Sequence, residues 1–279
     1  MIRRDRQRGV ALITALLAVA IVTVLAVELT RQQHFDIRRT QNLLARDQAA
    51  VYQQAVEQWA LTILAEDARR TETDHRGEAW AEAIEPPPFK GAQMRLQLFD
   101  LQGRFNLNNL VTGPGTDNGP AIQRMTRLLA GLEAETGIVQ ATADWIDPEP
   151  GTRYPDGASD DWYSRLDPPY RVANRAMASA SELRLVKGVD DALWRRLEPR
   201  VTALPEPTPI NINTASPQVL SSIASGLTLA QAEELVDNRP TDGWQSVDEF
   251  LSQSNAVRSP SPRPVAINSE RCFRRYVIS

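Results

Sequence analysis

The sequence predicts an α+β protein with three parts: a long N-terminal helix, a small antiparallel sheet, and a large inserted all-α domain of the helix-hairpin-helix or SAM-like type. An apolar run spans Val10–Val27, and the chain from there to Ala68 contains no Pro or Gly, which predicts one long helix. Residues 94–99 alternate apolar and polar side chains as a strand does, and helical periodicity dominates from 121 to 250. Apolar residues make up 42% of the chain and charged residues 24%, which indicates globular structure.

The first 27 residues combine a basic leader, residues 1–9, with a membrane segment, residues 10–27. The leader carries four Arg and one Asp, and the 18 residues after it hold no charge and only Thr14 and Thr23 as polar side chains. Eighteen helical residues extend about 27 Å, enough to cross the hydrocarbon core of a bilayer. The basic leader predicts a cytoplasmic N-terminus, so that the chain beyond Glu28 lies on the opposite side of the membrane.

Three kinds of N-terminal segment share this pattern. A secretory signal peptide requires a small-residue cleavage site after the apolar run, and ELTRQQHFD, residues 28–36, contains none. A plain signal anchor also fits the hydropathy and stays open. The third kind is a prepilin-type leader, which the position of Gly9 resembles: a peptidase cuts after this glycine, and Val10 becomes the N-terminus of a helix that stays attached.

Residues 28–112 are predicted to hold the second half of the long helix and the first strands. Apolar side chains recur in this half with helical periodicity and predict a face that packs on the chain's own globular domain. The face comprises Leu44, Val51, Tyr52, Ala55, Trp59 and Ile63. A helix from Val10 to Ala68 has 59 residues, and its length would be about 90 Å.

A short helix and two strands are predicted next. Glu78–Ile84 reads as a helix that ends at Glu85–Pro88, and Met94–Phe99 reads as a strand. Asp100–Gly103 predicts a turn and Arg104–Leu110 a second strand, so the two strands are expected to form an antiparallel hairpin.

Residues 113–255 are predicted to form the inserted helical domain, after a Gly/Pro loop at Gly113–Pro120. The expected helices are Ala121–Thr136, Ile138–Trp145, Ser181–Leu185, Asp191–Val201, Pro217–Ala224, Leu229–Asn238 and Ser246–Gln253. Residues 256–279 return to the sheet with strands at Val265–Ile267 and Phe273–Ile278, and the chain stops inside this last strand pattern.

Composition and motifs argue against several functional classes. The net charge is −4, and no Gly-rich phosphate loop, G-x-S-x-G or H-E-x-x-H motif is present, which weakens the enzyme interpretation. Asp147 and Glu149 form a carboxylate pair, but they lie in one loop without a second element to complete a catalytic site. His34 and His75 are far apart and predicted at the surface, and Cys272 is the one cysteine, so no internal disulfide is expected.

Five phrases of the chain resemble the minor pseudopilin K subunit of the type II secretion system, the general secretion pathway protein K family. In family order they are GRFNLNNL (Gly103–Leu110), ADWIDPEP (Ala143–Pro150), YRVANR (Tyr170–Arg175), SELRLVKG (Ser181–Gly188) and ININTAS (Ile210–Ser216). The resemblance implies a pilin-like fold and a non-catalytic subunit, held by one span in the inner membrane with its bulk in the periplasm.

The resemblance also implies the partners. These are the I and J minor pseudopilins, with which the subunit forms a tip complex that helps to initiate pseudopilus assembly for protein export across the outer membrane. A further implied partner is the prepilin peptidase, which would act at Gly9 and Val10 and leave Val10 methylated.

Two departures from the commonest pilin-like pattern are informative. Most such proteins carry Glu at the fifth position after the cut, where this chain has Thr14, and the absence of Glu is typical of the K subunit at the filament tip. A carboxylate inside the bilayer is costly unless it finds a partner. Family members also usually continue beyond the strand that contains Tyr276–Ser279, so the chain is expected to be either truncated or a divergent short form, and in the truncated case its sheet lacks an edge strand.

An acidic loop, DWIDPEPGTRYPDGASDD at 144–161, is the candidate cation site. It holds one basic residue, Arg153, and six carboxylates: Asp144, Asp147, Glu149, Asp156, Asp160 and Asp161. Calcium takes six to eight oxygen ligands from flexible loops of this kind, whereas the alternative is a solvated acidic loop without a metal. The resemblance favours calcium, because K subunits carry it in this region, although Ser159 stands where the family phrase has a carboxylate.

A rival interpretation is a membrane-anchored DNA-binding protein. Residues 181–201 and 217–239 each read as helix, Gly-containing turn and helix, as in helix-hairpin-helix modules whose amides hold DNA phosphates. DNA-binding hairpins usually have two glycines in the turn, and these hairpins have Gly188 and Gly226 alone. Residues 181–250 hold six basic and eleven acidic side chains, and this net charge of −5 opposes phosphate binding, so no nucleic acid is expected.

Overall fold

The computed structural model describes residues 3–84 and 95–253 and two short strands at 267–268 and 276–278. The chain divides into two compact units, Met1–Trp59 and Ala60–Ser279. A long helix, short strands and many further helices confirm the predicted α+β class. The α-helices are α1 (Arg3–Arg70), α2 (Gly119–Gly131), α3 (Ile138–Ile146), α4 (Asp160–Tyr163), α5 (Asp191–Leu197), α6 (Pro217–Ile223), α7 (Leu229–Asp237) and α8 (Val247–Gln253).

Helix α1 is continuous over 68 residues and confirms the prediction of one long helix. It begins inside the basic leader, so Gly9 and Val10 lie within helical backbone. In the first unit this helix has no second element to cover its apolar side chains, and Leu16 and Leu25 are 62% and 64% exposed. In the described part of the chain, α1 is the one helix long and apolar enough to cross a membrane.

The packing face predicted on the second half of α1 is partly wrong. Leu44 and Val51 are 57% and 62% exposed, because the first unit is helix alone and offers them nothing to pack against. Burial is complete only in the turns that belong to the second unit, where Ala60 and Leu64 enter its core. The C-terminal end of the predicted face, Trp59 and Ile63, lies beside the residues that are buried, but the predicted face extends too far toward the N-terminus.

The strands of the second unit are two or three residues long and form two antiparallel and two parallel pairs. The antiparallel pairs are β1 (Leu98–Asp100) with β8 (Tyr276–Ile278) and β3 (Val111–Gly113) with β4 (Thr116–Asp117). The parallel pairs are β2 (Phe105–Asn106) with β5 (Val201–Thr202) and β6 (Ile210–Asn211) with β7 (Ile267–Asn268). Thus the chain's last described residues pair with a strand near position 100.

The predicted hairpin between Met94–Phe99 and Arg104–Leu110 is wrong. The first strand is confirmed at Leu96 and Leu98, which are buried while Arg95 is exposed, but its partner is the C-terminal strand β8. The second segment is extended only over β2 and then forms a 3₁₀ turn. Met94 lies outside the described residues, as do Glu85–Pro88.

Hydrogen bonds of Asn106 explain why the chain turns after β2 instead of continuing as a strand. The Asn106 carboxamide accepts the Asn108 N–H at 3.2 Å and the Leu204 N–H at 3.0 Å, and it donates to the Glu206 carbonyl at 3.0 Å. The first bond turns the chain locally and competes with a ladder. The other two attach the turn to a segment about 100 residues away.

A second asparagine pair fixes the turn after β6. The Asn211 side chain donates to the Asp74 carbonyl at 3.1 Å and to the Asp100 carboxylate at 2.9 Å. The Asn213 side chain accepts the Trp244 N–H at 2.8 Å and donates to the Trp244 carbonyl at 3.0 Å. These buried bonds connect four separate segments of the second unit.

The helices lie close to their predicted positions, with four differences, of which the first two have local causes. Helix α2 ends at Gly131 rather than Thr136, because Glu133 adopts φ +53° and the Ala134 N–H donates to the Leu129 carbonyl, a Schellman-type end. Helix α5 ends before Pro199, and Val201 lies in β5. Residues 160–163 add a helix, α4, that was not predicted. The segment predicted as a helix at Ser181–Leu185 is a 3₁₀ helix, Ala180–Leu185.

Two smaller predictions were also wrong in part. The helix expected at Glu78–Ile84 is a 3₁₀ turn at Ala79–Ala81, and Ile84 pairs with Leu96 as an isolated bridge. The strands expected near the C-terminus occur as β7 and β8, while residues 265–266 and 273–275 lie outside the described residues.

The core of the second unit gives a test of how α1 is attached. Leu64 is 4% exposed and Leu61, one turn earlier, is 49% exposed. Leu64→Ala should lower the free energy of unfolding of the second unit by about 2 to 5 kcal/mol, because it leaves a cavity in the core. Leu61→Ala is the control, with an expected loss of less than about 1 kcal/mol. Urea denaturation of the detergent-purified chain measures both, and equal losses would contradict the observed packing.

Candidate functional site

The acidic loop begins at the C-terminal end of α3, which positions its first two carboxylates. Asp144 lies in the last turn of α3, and Asp147 is the C-cap residue, three positions later, on the same side of the helix. The helix stops there because Pro148 disfavours helical backbone at the residue before it. Both residues are buried, with 3% and 2% of their surface exposed.

Arg153 lies between these carboxylates and a third one from outside the loop. Its Nη1 donates to Asp144 Oδ1 at 2.8 Å, and its Nη2 donates to Asp147 Oδ2 at 2.7 Å. Its Nε donates to Asp117 Oδ1, in β4, at 2.8 Å. Asp117 was missed by the sequence analysis, because it lies 36 residues from Arg153 and only the fold brings the two together.

The local hydrogen bonds stabilise the charged forms of these groups. Burial opposes ionisation of Asp147, but bonds from the Gly115 N–H, Arg153 and the Glu149 N–H outweigh it, so the pKa of Asp147 lies below its ordinary value of 3.8. The pKa of Arg153 is raised above its ordinary value, because the bonds from its carboxylate partners outweigh the effect of burial. Asp147 and Arg153 are therefore both charged at neutral pH.

The side chains of the other four predicted ligands are not buried with Asp144 and Asp147. Glu149, Asp156, Asp160 and Asp161 are exposed, and Asp160 accepts the Val172 N–H at 2.9 Å. The structure thus brings Asp144 and Asp147 together and leaves the rest of the predicted set at the surface. The geometry at the buried pair fits an internal guanidinium, and calcium binding by the loop stays a prediction.

Aromatic side chains pack against one another at the two ends of the acidic loop. Trp145 and Tyr163 meet edge to face with 5.3 Å between ring centroids, and Tyr170 lies 5.3 Å from Tyr163. Burial raises the pKa of Tyr163 to about 12, and its hydroxyl accepts the Lys187 N–H at 3.2 Å. This packing fixes the end of α3 and the segment that follows α4 relative to each other.

A second group of carboxylates was also missed by the sequence analysis. Asp67, Asp74 and Glu78 each place an oxygen within 4.8 Å of the other two. Glu78 accepts bonds from the Thr71 hydroxyl at 2.6 Å and from the His75 N–H at 2.9 Å, so it supports the chain as it leaves α1. His75 is 7% exposed, and the prediction that it lies at the surface is wrong.

The two helix-hairpin-helix segments are present, but Lys187 and Arg239, one cation from each, bond to the protein itself. Gly188 adopts φ +87°, as the predicted turn requires. Lys187 Nζ donates to the carbonyls of Asp156 and Gly157 at 3.2 and 3.3 Å, and Arg239 Nη1 donates to the Asn213 carbonyl at 2.7 Å. Cations engaged in this way are not presented to a phosphate backbone, which agrees with the acidic charge of the region.

Gly9 and Val10, the predicted processing site, lie in the first turns of α1. The structure therefore continues the apolar helix into the leader without a break. Cleavage after Gly9 stays a prediction.

Comparisons with known proteins point to one family. The family described as "Type II secretion system (T2SS), protein K" matches residues 103–206 and residues 210–266. A Pseudomonas aeruginosa protein named Type II secretion system protein K is 41% identical over 269 residues, which cover 92% of this chain and 79% of that protein. A Klebsiella pneumoniae protein of the same name is 34% identical, and the match covers 98% of this chain and 88% of that protein.

A solved structure is similar along most of the chain. It belongs to the GspK–GspI–GspJ complex of the type 2 secretion system from enterotoxigenic Escherichia coli. The TM-score is 0.73 at 27% sequence identity, and the match covers 83% of this chain and 85% of the other.

The buried cluster predicts a pH-dependent effect of Asp147→Asn. At pH 7 this change should lower the free energy of unfolding by about 1 to 3 kcal/mol, because the amide cannot accept the same charged hydrogen bonds. The folded-state pKa lies below the unfolded value, so this stabilisation exists above pH ~4 and is lost as the pH falls through the folded pKa. Denaturation between pH 3 and 7 should therefore show a difference from wild type that shrinks at the acidic end.

Asp161→Asn is the matched control, because Asp161 lies in the same loop and is exposed. We expect this control to change the free energy of unfolding by less than about 0.5 kcal/mol at any pH. An Asp147→Asn variant as stable as this control at pH 7 would show that the cluster does not stabilise the loop.

Proposed function

Since the chain belongs to the protein K family of the type II secretion system, we propose that it is the non-catalytic minor pseudopilin that lies at the tip of the pseudopilus and helps to initiate its assembly. The observation that carries this proposal is one continuous helix, membrane-compatible in its first part, that leads into a unit matching this family. Its role in protein export is then architectural, because a filament tip works through its contacts with other subunits.

The N-terminal segment supports insertion into the inner membrane, followed by processing by a prepilin peptidase. Four Arg precede an uncharged apolar run, which keeps the N-terminus in the cytoplasm and the second unit in the periplasm. Cleavage after Gly9 would remove the Arg cluster and leave Val10 as a methylated N-terminus. The apolar helix would remain as the single anchor.

The I and J minor pseudopilins are the proposed partners, because the similar solved structure is a complex with subunits of those names. The first unit provides a surface that fits helical partners. Large apolar side chains past the membrane-length segment are exposed: Phe35, Ile37, Leu43, Leu44 and Val51. An exposed series of this size on one helix is typical of an interaction surface.

The tip position rests on two features of this chain. Thr14 stands where a pilin-like subunit would carry the Glu that pairs with a neighbouring subunit's N-terminus. The second unit also carries helices α2 to α8 between residues 119 and 253, a bulk that a tip can accommodate more readily than the packed side of a filament.

Processing is tested by intact mass after co-expression with a prepilin peptidase. Wild type should lose Met1–Gly9 and gain a methyl group, whereas Gly9→Leu should keep the full chain, because a side chain at this position obstructs the backbone's approach to the peptidase. Ala11→Leu, which changes size but spares Gly9, is the control and should be cleaved. Survival of Met1 in wild type beside an active peptidase would return the segment to a plain signal anchor.

Partner binding is tested on the exposed face of α1. Leu44→Asp should weaken co-purification of the I and J subunits by roughly tenfold or more, because it places a charge in an apolar contact. Gln53→Asp adds the same charge on the opposite face of the helix, about half a turn around, and should bind as wild type does. Undiminished binding by Leu44→Asp would locate the partner surface elsewhere.

A further inference from the structure

We propose that Arg153 is the resident cation of the acidic loop, where the family resemblance predicts calcium, and that its guanidinium lets the loop fold without a metal ion. The loop requires some positive charge, because it contributes two buried carboxylates that contact the same guanidinium. The chain supplies that charge from within the loop.

The N–H groups of the guanidinium donate hydrogen bonds to three carboxylates. Nη1 contacts Asp144 at 2.8 Å, Nη2 contacts Asp147 at 2.7 Å, and Nε contacts Asp117 at 2.8 Å. Nη2 also donates to Asp117 Oδ1. The planar fork of donors matches carboxylate oxygens as a hard cation would, and it links β4 to the end of α3 and to the loop.

The carboxylate oxygens are further occupied by backbone donors. Asp144 Oδ2 accepts the Ala158 N–H at 2.8 Å. Asp147 Oδ1 accepts the N–H groups of Gly115 and Glu149, both at 2.9 Å. Every oxygen of the pair therefore faces an N–H donor. A calcium ion at these oxygens would displace donors from them and would lie beside the positive guanidinium.

Burial makes this arrangement necessary for folding. The side chains of Asp144 and Asp147 are 1% and 3% exposed, and that of Arg153 is 18% exposed. Two buried carboxylates without a counter-ion repel each other and lack solvation, so loss of the guanidinium is strongly destabilising. Asp117 is 48% exposed and contributes less, because water screens it.

The remaining acidic side chains of the loop are not buried with this pair. Glu149, Asp156, Asp160 and Asp161 are exposed. Within residues 12–84 and 95–253, the one group of three or more carboxylates whose oxygens lie within 4.8 Å of one another is Asp67, Asp74 and Glu78, outside the loop. The loop's surface charges are thus solvated, and its buried charges are neutralised by Arg153.

Thermal unfolding of the full-length, detergent-purified chain tests this proposal. Wild type is measured in excess EDTA and in excess calcium chloride, and the two melting temperatures should agree within about 1 °C. Arg153→Gln in EDTA should melt roughly 5 to 15 °C below wild type, because it leaves the buried carboxylates unpaired.

Arg175→Gln is the matched control, since it removes the same charge from an arginine that is 61% exposed and lies 3.8 Å from Glu182. Its melting temperature should stay within about 2 °C of wild type. A wild-type melting temperature that rises by several degrees in calcium overturns the proposal, as does an Arg153→Gln variant that melts with Arg175→Gln. If Arg153→Gln gives no folded protein, the wild-type comparison decides alone.

Discussion

The strands of the second unit are only two or three residues long, so their ladders satisfy few backbone hydrogen-bonding groups. Buried backbone groups left unpaired are costly, which creates a demand for other hydrogen-bond partners. Asparagine side chains meet that demand. Asn106 binds backbone groups at positions 204 and 206, Asn211 binds the carbonyl of Asp74, and Asn213 binds both backbone groups of Trp244. These bonds connect distant segments where a larger sheet would ordinarily do so, and the helical core packs around the turns that they fix.

In the buried cluster of Asp144, Asp147 and Arg153, charged side chains also bond to backbone groups that lie outside the short strands. Asp144 and Asp147 hold backbone N–H groups of Gly115, Glu149 and Ala158 in place, and these bonds shape an otherwise irregular loop. Ionised carboxylates make stronger hydrogen bonds than neutral ones, but burying them is costly without a nearby cation. Arg153 offsets that cost, so the loop's shape and its charge balance depend on one side chain.

The two units of the chain suit different parts of the proposed function. The first unit is helix alone, with apolar side chains exposed along its length, which suits a bilayer at one end and partner helices beyond it. The second unit buries its own core and uses its cations internally, as Lys187 and Arg239 do. A subunit of this kind acts through assembly, in keeping with the protein K family to which the chain belongs.

The sequence by itself determined the long helix, the positions of most later helices and the family, because periodicity, helix caps and short phrases are local properties of the chain. Only the tertiary structure decided which strands pair, since β1 joins β8 across about 180 residues and loop-spanning pairings leave no local signal. It also decided the partners of Arg153, because Asp117 comes from a distant hairpin. The lone arginine among six carboxylates was visible in the sequence, but its burial and its three contacts depend on the fold, which brings Asp117 of β4 to the same guanidinium as Asp144 and Asp147.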